Sequence, residues 1–194
     1  MTDATLDWRR PPRAQRPRRR LLRAAAGAGA LLASGALGGC GSAAERFRPV
    51  AVGEPVPAVA VRTLGGDSAR VGPGEPLTLV NVWATWCVPC QREFADLERL
   101  HRDYAARGLR VLAVSIDKGS DDEVREFARE HGATFVIGRD PEDDVRTQLQ
   151  SIGVPESYLV AADGRLLWRQ IGAFPEGAAA ARAAVERALE RRGE

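Results

Sequence analysis

Residues 77–90 read Leu-Thr-Leu-Val-Asn-Val-Trp-Ala-Thr-Trp-Cys-Val-Pro-Cys, and this stretch decides the fold of the 194-residue chain. Its first half is a nearly continuous apolar run, which is typical of a strand buried on both faces of a parallel sheet. Beyond it, large apolar residues recur at helical spacing, namely Phe94, Leu97, Leu100 and Tyr104. The pattern therefore predicts that a buried strand passes into a helix at Cys87 and Cys90.

Two cysteines at the start of a helix favour redox chemistry. Residues three apart on a helix face the same way, so a disulfide can close between Cys87 and Cys90 without backbone movement. Because the N–H groups of a first helical turn stabilise negative charge, we expect Cys87 to have a lowered pKa. Pro89 suits this turn, where its missing N–H has no intrahelical partner to lose.

Other uses of such a pair are a structural disulfide, two buried thiols or part of a metal site. A structural disulfide normally closes a longer loop than two residues. A zinc site needs further ligands at matching spacing, and only His101, His131 and Cys40 are present besides the pair. We therefore interpret the pair as redox-active and predict no metal and no cofactor.

The leader, residues 1–39, has the composition of an export signal. It holds eight of the 28 basic residues of the chain but only Asp3 and Asp7 of the 26 acidic ones. The rest of the chain is therefore mildly acidic, which argues against a nucleic-acid partner. Residues 24–39 are apolar but short and rich in Ala and Gly, so removal or lipid anchoring is favoured over a membrane-spanning helix.

The end of the leader carries a second signal. Leu37-Gly38-Gly39-Cys40 resembles a bacterial lipobox, which implies a lipid on Cys40 as the first mature residue. Export by the Sec or the twin-arginine route stays open, because Arg-rich leaders imitate the twin-arginine signal. Residues 40–51 follow as a tether, and residues 52–194 as the folded domain.

The domain is predicted to be α/β. The strand at 77–83, the cysteine helix up to Gly108 and a strand at 109–116 form one βαβ unit. Acidic residues at 121–123 and 140–144 are expected to be solvated helix starts. The remaining predicted strands lie at 58–63, 68–71, 135–137, 157–161 and 165–170, and the remaining helices at 121–131, 142–150 and 178–192.

Trp-Ala-Thr-Trp-Cys-Val-Pro-Cys at 83–90 resembles the active site of thioredoxin-fold proteins, specifically the extracytoplasmic TlpA/ResA/DsbE-like thiol–disulfide oxidoreductases. The resemblance runs from about Val52 to the last helix. It implies a thioredoxin-like fold, with a central mixed sheet flanked by helices. The hairpin at 58–71 would be the N-terminal addition of TlpA-like proteins, and residues 135–150 would hold their insertion.

The resemblance also implies site residues. Val154-Pro155 would be a cis peptide, with the Val154 backbone pairing with an extended substrate segment. Trp86 would contact substrate. Glu93, one turn after Cys90, would take the proton of the Cys90 thiol, the alternative being a surface carboxylate that gains only from the helix dipole.

Two positions, Asn81 and Ala95, depart from thioredoxin itself, and Glu156 is a likeness to one branch of the family. Asn81 replaces a buried aspartate and cannot shuttle protons, which makes Glu93 more important. Ala95 stands where a proline usually kinks the helix, so we expect a straighter helix. Glu156 follows the proline as in DsbE-like proteins, and the alternative is a charge at the rim of the site.

These features imply an enzyme anchored outside the cytoplasm through Cys40, most simply a disulfide reductase for cytochrome c maturation or copper-site assembly. Cys87 would attack a protein disulfide and Cys90 would resolve it, with electrons from a membrane donor protein. Two alternatives stay open. A peroxiredoxin-type peroxidase usually has Thr where this chain has Ala84, and a copper chaperone would need a wider cysteine spacing and a nearby His.

Overall fold

The computed structural model describes residues 48–191. The predictions for residues 1–39 and for Cys40 lie outside this described part. A seven-stranded sheet runs through the domain in the order β2-β1-β5-β4-β3-β6-β7. The strands are β1 (Val59–Thr63), β2 (Ser68–Val71), β3 (Leu77–Trp83), β4 (Leu109–Ser115), β5 (Val136–Arg139), β6 (Glu156–Val160) and β7 (Leu166–Ile171). The helices are α1 (Val88–Tyr104), α2 (Asp121–Glu130), α3 (Asp144–Gln148) and α4 (Ala179–Glu190).

Strand β3 lies at the centre of the fold, and all seven of its residues are buried. It pairs in parallel with β4 and antiparallel with β6, so the sheet is mixed as predicted. The cross-strand neighbours of Asn81 are Ala113 on β4 and Ser157 on β6. Because side chains alternate across a strand, Asn81 shares the face of β3 that carries Leu79 and Trp83.

Helices α1, α2 and α4 cover that face. Aromatic rings join α1 and α2 to the strand. The ring centroid of Trp83 lies 4.5 Å from that of Phe94 and 4.9 Å from that of Phe127, and the centroids of Phe94 and Phe127 lie 5.1 Å apart. Val80 and Val82 point to a second apolar cluster, which includes the β1–β2 hairpin and Val145 of α3. Each fully buried side chain of this size contributes about 1.5–3 kcal/mol, so the sheet is held by packing on both faces.

The insertion contains the short strand and the short helix predicted for it, with shifted bounds. Strand β5 lies between β4 and β1, so it joins the N-terminal hairpin to the sheet. Helix α3 is only five residues long, and it begins after Asp143, whose φ of 62° is left-handed. The expectation that Asp140 is solvated is wrong. Its buried carboxylate accepts the N–H groups of Asp144 and Arg146 and thereby caps α3.

The turn between β6 and β7 forms at Asp163-Gly164, as predicted. Gly164 has a φ of 85°, and an added Cβ would lie 2.7 Å from Cδ of Pro73. Only glycine fits this turn without a clash. No helix among residues 48–191 is long and apolar enough to cross a membrane.

Candidate active site

The two cysteines form a disulfide at the start of α1. Their Sγ atoms lie 2.08 Å apart and their Cα atoms 5.2 Å apart. Cys87 is the N-cap residue, and its Sγ accepts the N–H of Cys90 at 3.2 Å. Cys87 keeps 5% of its surface exposed, whereas Cys90 has none. The geometry therefore leaves Cys87 as the more accessible sulfur, and it directs a backbone donor at that atom.

Apolar side chains stand in solvent beside this disulfide. Trp86 is 65% exposed and Val88 59% exposed. The dipeptide between the cysteines, Val88-Pro89, carries no charge. Helix α1 likewise has no acidic residue in its first turn. The residues on either side of Cys87 in the chain are thus uncharged.

A buried carboxylate holds the loop that carries Trp86 and Cys87. Asp117 accepts the backbone N–H of Thr85 at 3.0 Å and its hydroxyl at 2.7 Å. It also accepts the Ser115 hydroxyl at 2.7 Å, which ties the loop to the end of β4. Asp117 was not predicted from the sequence, because a lone acid after a strand carries no local pattern that points to a loop 32 residues earlier.

Glu93 lies on α1, three residues after Cys90, and only 2% of its surface is exposed. Its Oε1 accepts Nδ2 of Asn81 at 2.7 Å, and its Oε2 accepts the Phe174 N–H at 3.1 Å. Burial raises the pKa of Glu93 to about 7, although the bonds from Asn81 and Phe174 oppose the rise. The alternative of a surface carboxylate is wrong.

A cleft of ≈ 390 Å³ adjoins this acid. Its walls include Arg92, Asp96 and Arg99 of α1 and Phe174 of the segment after β7. Asp96 adds a small like-charge contribution to the raised pKa of Glu93. The core encloses the Glu93 carboxyl group on its other sides. The cleft therefore provides a short path from this group to solvent.

The Val154–Pro155 peptide is cis, as the resemblance implied. The Pro155 carbonyl accepts the N–H of Gly172 at 2.9 Å, and Val154 is half-buried against both apolar clusters. This loop precedes β6, whose antiparallel partner β3 leads into the cysteine loop. Because the end of β3 and the start of β6 are neighbours, Val154 and Cys87 belong to the same edge of the sheet.

Glu156 is fully buried, so the interpretation of a rim charge is wrong. Its carboxylate accepts the Ser151 hydroxyl and the Ile152 N–H, each at 2.9 Å, and pairs with Arg169. It therefore holds the loop that carries Val154 and Pro155.

Helix α1 itself runs without interruption through Ala95 from Val88 to Tyr104, in line with the absence of proline there.

The chain is similar to known proteins. Residues 52–169 match the model of the AhpC/TSA family. The thiol:disulfide interchange protein CycY of Rhizobium leguminosarum bv. viciae is 40% identical over 97 residues, which cover 50% of each chain. The thiol:disulfide interchange protein HelX of Rhodobacter capsulatus is 33% identical over 129 residues, which cover 64% of this chain and 70% of HelX.

A solved structure agrees with these relatives. It is described as a thiol:disulfide interchange protein DsbE from Chlorobium tepidum and is 25% identical, with a TM-score of 0.66. The similarity covers 72% of this chain and 99% of that one. The matched part spans only half the length of CycY. The chain belongs to the AhpC/TSA family and is a thioredoxin-like protein of the TlpA/ResA/DsbE type.

Proposed function

We propose that this protein is a thiol–disulfide oxidoreductase that works through Cys87 and Cys90. The observation that carries the proposal is the disulfide itself, closed at a helix start with the more accessible sulfur at the N-cap. A buried carboxyl group on the same helix, with a pKa near neutrality, supports it.

In the reduced protein, the Cys87 thiolate attacks a disulfide of a protein substrate. A mixed disulfide forms and one substrate sulfur leaves as a thiolate. Cys90 gives its proton to Glu93 and attacks Sγ of Cys87, which releases the second substrate thiolate. The substrate then holds both electrons, and the protein holds the Cys87–Cys90 disulfide. Trp86 and the Val154 backbone are the groups proposed to contact the substrate segment.

The proposal extends to direction and place. We take the protein to be a reductase outside the cytoplasm, anchored by a lipid on Cys40 and supplied with electrons by a membrane dithiol protein. Its substrates would be disulfide proteins of cytochrome c maturation or copper-site assembly. The basic leader, the lipobox-like Leu37-Gly38-Gly39-Cys40 and the family membership support this assignment.

Single cysteine variants test the chemistry. Cys87→Ser should abolish the reduction of insulin disulfides, and Cys90→Ser should accumulate mixed disulfides that a reductant releases. In the reduced protein, Cys87 should react with iodoacetamide before Cys90, because it is more exposed and carries more thiolate. Faster alkylation of Cys90 would reverse the roles. Consumption of peroxide or tight Cu(I) binding without disulfide exchange would favour the peroxidase or the chaperone instead.

Mass spectrometry of the mature protein tests the location. The expected product begins at Cys40 and carries a lipid on it. The matched control is Cys40→Ser, which should leave the leader uncleaved at this site and the protein unlipidated, while the reduction of insulin by the isolated protein stays unchanged. A mature protein that still begins at Met1 would contradict the anchor.

A further inference from the structure

The carboxamide of Asn81 has hydrogen-bond partners on one side only. Asn81 is fully buried in the middle of β3, and its Nδ2 donates to Glu93 Oε1 at 2.7 Å and to Ser157 Oγ at 2.9 Å. Its Oδ1 is also buried, yet it accepts no hydrogen bond from any residue in the range 48–191. A buried polar atom without a partner is uncommon in folded proteins and calls for an explanation.

We propose that Asn81 is a positioning residue for Glu93, because its carboxamide can turn by 180° and so hold the carboxyl group in one place in both protonation states. The proposal rests on the function proposed above, in which Glu93 receives and later gives up the Cys90 proton. Such an acid has to remain in position while it changes from an acceptor of hydrogen bonds into a donor.

The observed orientation suits the ionised acid. A carboxylate only accepts hydrogen bonds, and Nδ2 of Asn81 donates one to it. Once Glu93 is protonated, the turned carboxamide places Oδ1 towards Glu93 and Ser157, where it can accept from both hydroxyl groups. The Ser157 hydroxyl follows by rotation, since it can donate as well as accept.

Neither orientation is locked by the surroundings. In each of them one amide atom points to Glu93 and Ser157, and the other occupies the place where Oδ1 now lies without a described partner. One amide atom therefore lacks a partner in both states, the oxygen in one and the nitrogen in the other. Leucine could not bond to the acid in either state. Aspartate would place a second carboxyl group beside the first.

The other groups around Glu93 fix where its proton resides. The Phe174 N–H donates to Oε2 and, as a backbone group, cannot become an acceptor. The proton of the neutral acid therefore rests on Oε1, the oxygen that faces Asn81. The charged groups that share the cleft with Glu93 are Arg92, Asp96 and Arg99 of α1, and β3 and β6 present the neutral Asn81 and Ser157.

The first experiment uses the unaltered oxidised protein. Nuclear magnetic resonance should follow the side-chain amide of Asn81 and the carboxyl carbon of Glu93 from acidic to basic pH. We expect both to shift with one common midpoint, near the pKa of about 7 for Glu93. An Asn81 amide that does not shift, or that shifts with a different midpoint, would overturn the proposal.

The second experiment removes the carboxamide. In Asn81→Leu the midpoint of Glu93 should rise by about one pH unit, because the charge-assisted bond to the ionised acid is stronger than the bond to the neutral acid, and both are lost. The pH profile of insulin reduction should shift by the same amount. The matched control is Thr78→Val, which removes a buried hydroxyl of the same strand that donates to the Pro76 carbonyl and does not touch Glu93.

The control separates positioning from mere stability. Both variants should lose stability, but Thr78→Val should keep the midpoint of Glu93. An unchanged midpoint in Asn81→Leu would show a purely structural role. If that variant does not fold, Asn81→Asp replaces it. Two carboxyl groups then share the site, so Glu93 should titrate in two steps, and one unchanged step would contradict the proposal.

These titrations need no substrate. If the signals of the Asn81 amide and the Glu93 carboxyl group shift together but the protein exchanges no disulfides, the proposed function is disproved and the role of Asn81 stands. If the protein exchanges disulfides but the two signals do not shift together, the role of Asn81 is disproved and the proposed function stands.

Discussion

Glu93 shows how a single buried side chain acquires a useful proton affinity. Burial penalises its charged form, and the Asn81 and Phe174 donors recover part of that penalty. The balance leaves its pKa at about 7 instead of the ordinary 4.5. A proton acceptor works best with a pKa near the working pH, so the same burial that costs stability suits the proposed reaction.

This cost predicts a pH dependence of stability. Because the pKa of Glu93 is raised on folding, its stabilising contribution is complete below pH 4.5 and is lost as the pH rises through about 7. The loss amounts to about 3 kcal/mol. Urea unfolding of the oxidised protein at several pH values from 5 to 8 should therefore show a fall in stability that Glu93→Gln removes.

Glu98 of the same helix provides the control. Burial alone would raise the pKa of Glu98, but the bonds from Thr134 and Arg102 outweigh burial and lower this pKa below its ordinary value. Its stabilising contribution is therefore complete above pH 4.5, and Glu98→Gln should lower stability about equally at every pH from 5 to 8. Wild-type and Glu93→Gln proteins with the same slope in this range would contradict the role of burial at Glu93.

At the scale of elements, the decisive connection is the loop between β3 and α1. Strand β3 and helix α1 fix its two ends, and Asp117 fixes its middle through Thr85. Asp117 is itself bonded to Ser115, whose hydroxyl also accepts a guanidinium N–H of Arg139 on β5. The inserted strand thus contributes to the support of the cysteine loop.

We expect Asp117→Ala to destabilise the protein by about 2–4 kcal/mol, because it leaves two donors of Thr85 and the Ser115 hydroxyl without their acceptor. It should also lower kcat/KM for insulin reduction, since the loop that carries Cys87 is released. Thr85→Val removes one of these bonds and should cost about 1 kcal/mol. Asp163→Ala, at an exposed turn, should cost less than either, and equal losses at Asp117 and Asp163 would contradict this account.

The elements also show how far the sequence alone could go. The bounds of β2 and β3 were predicted to the residue, because an alternating or continuous apolar run records burial directly. The buried polar side chains that hold neighbouring loops and helix ends in place were not predicted. Asp140 was expected in solvent and a charge at the rim was one of two interpretations of Glu156, yet each side chain is buried and bonded to backbone N–H groups. Nothing in local periodicity shows that a charged side chain will find buried partners.

The candidate site was likewise predicted only in part from the sequence. The cysteine pair and the cis Val154–Pro155 peptide were found because each belongs to a short motif. The surroundings of Glu93 were not, since its partners lie 12 residues before it and 81 residues after it in the chain. Motifs record chemistry, whereas the environment that sets a pKa depends on tertiary contacts.

At the scale of the whole molecule, folding and redox potential belong to one thermodynamic cycle. A protein that strongly stabilises its reduced thiolate is an oxidant, and its dithiol form is then more stable to unfolding than its disulfide form. In a protein that stabilises the thiolate only weakly, the disulfide form is more stable to unfolding than the dithiol form. The direction of electron flow can therefore be read from the relative stability of the two forms.

This chain offers the Cys87 thiolate little beyond the start of α1. The cysteines enclose the uncharged Val88-Pro89, and the buried Asn81 adds no cation. An ionised Glu93 would oppose a second negative charge nearby. We therefore predict a reduction potential closer to the roughly −270 mV of thioredoxin than to the roughly −120 mV of a strong oxidase. That difference corresponds to about 7 kcal/mol of relative stabilisation.

Thermal unfolding should give a higher Tm for the oxidised than for the reduced protein, and equilibration with glutathione or dithiothreitol gives the potential. A reduced form that melts above the oxidised one, or a Cys87 pKa below about 5, would make the protein an oxidase, because only a strongly stabilised thiolate produces either result.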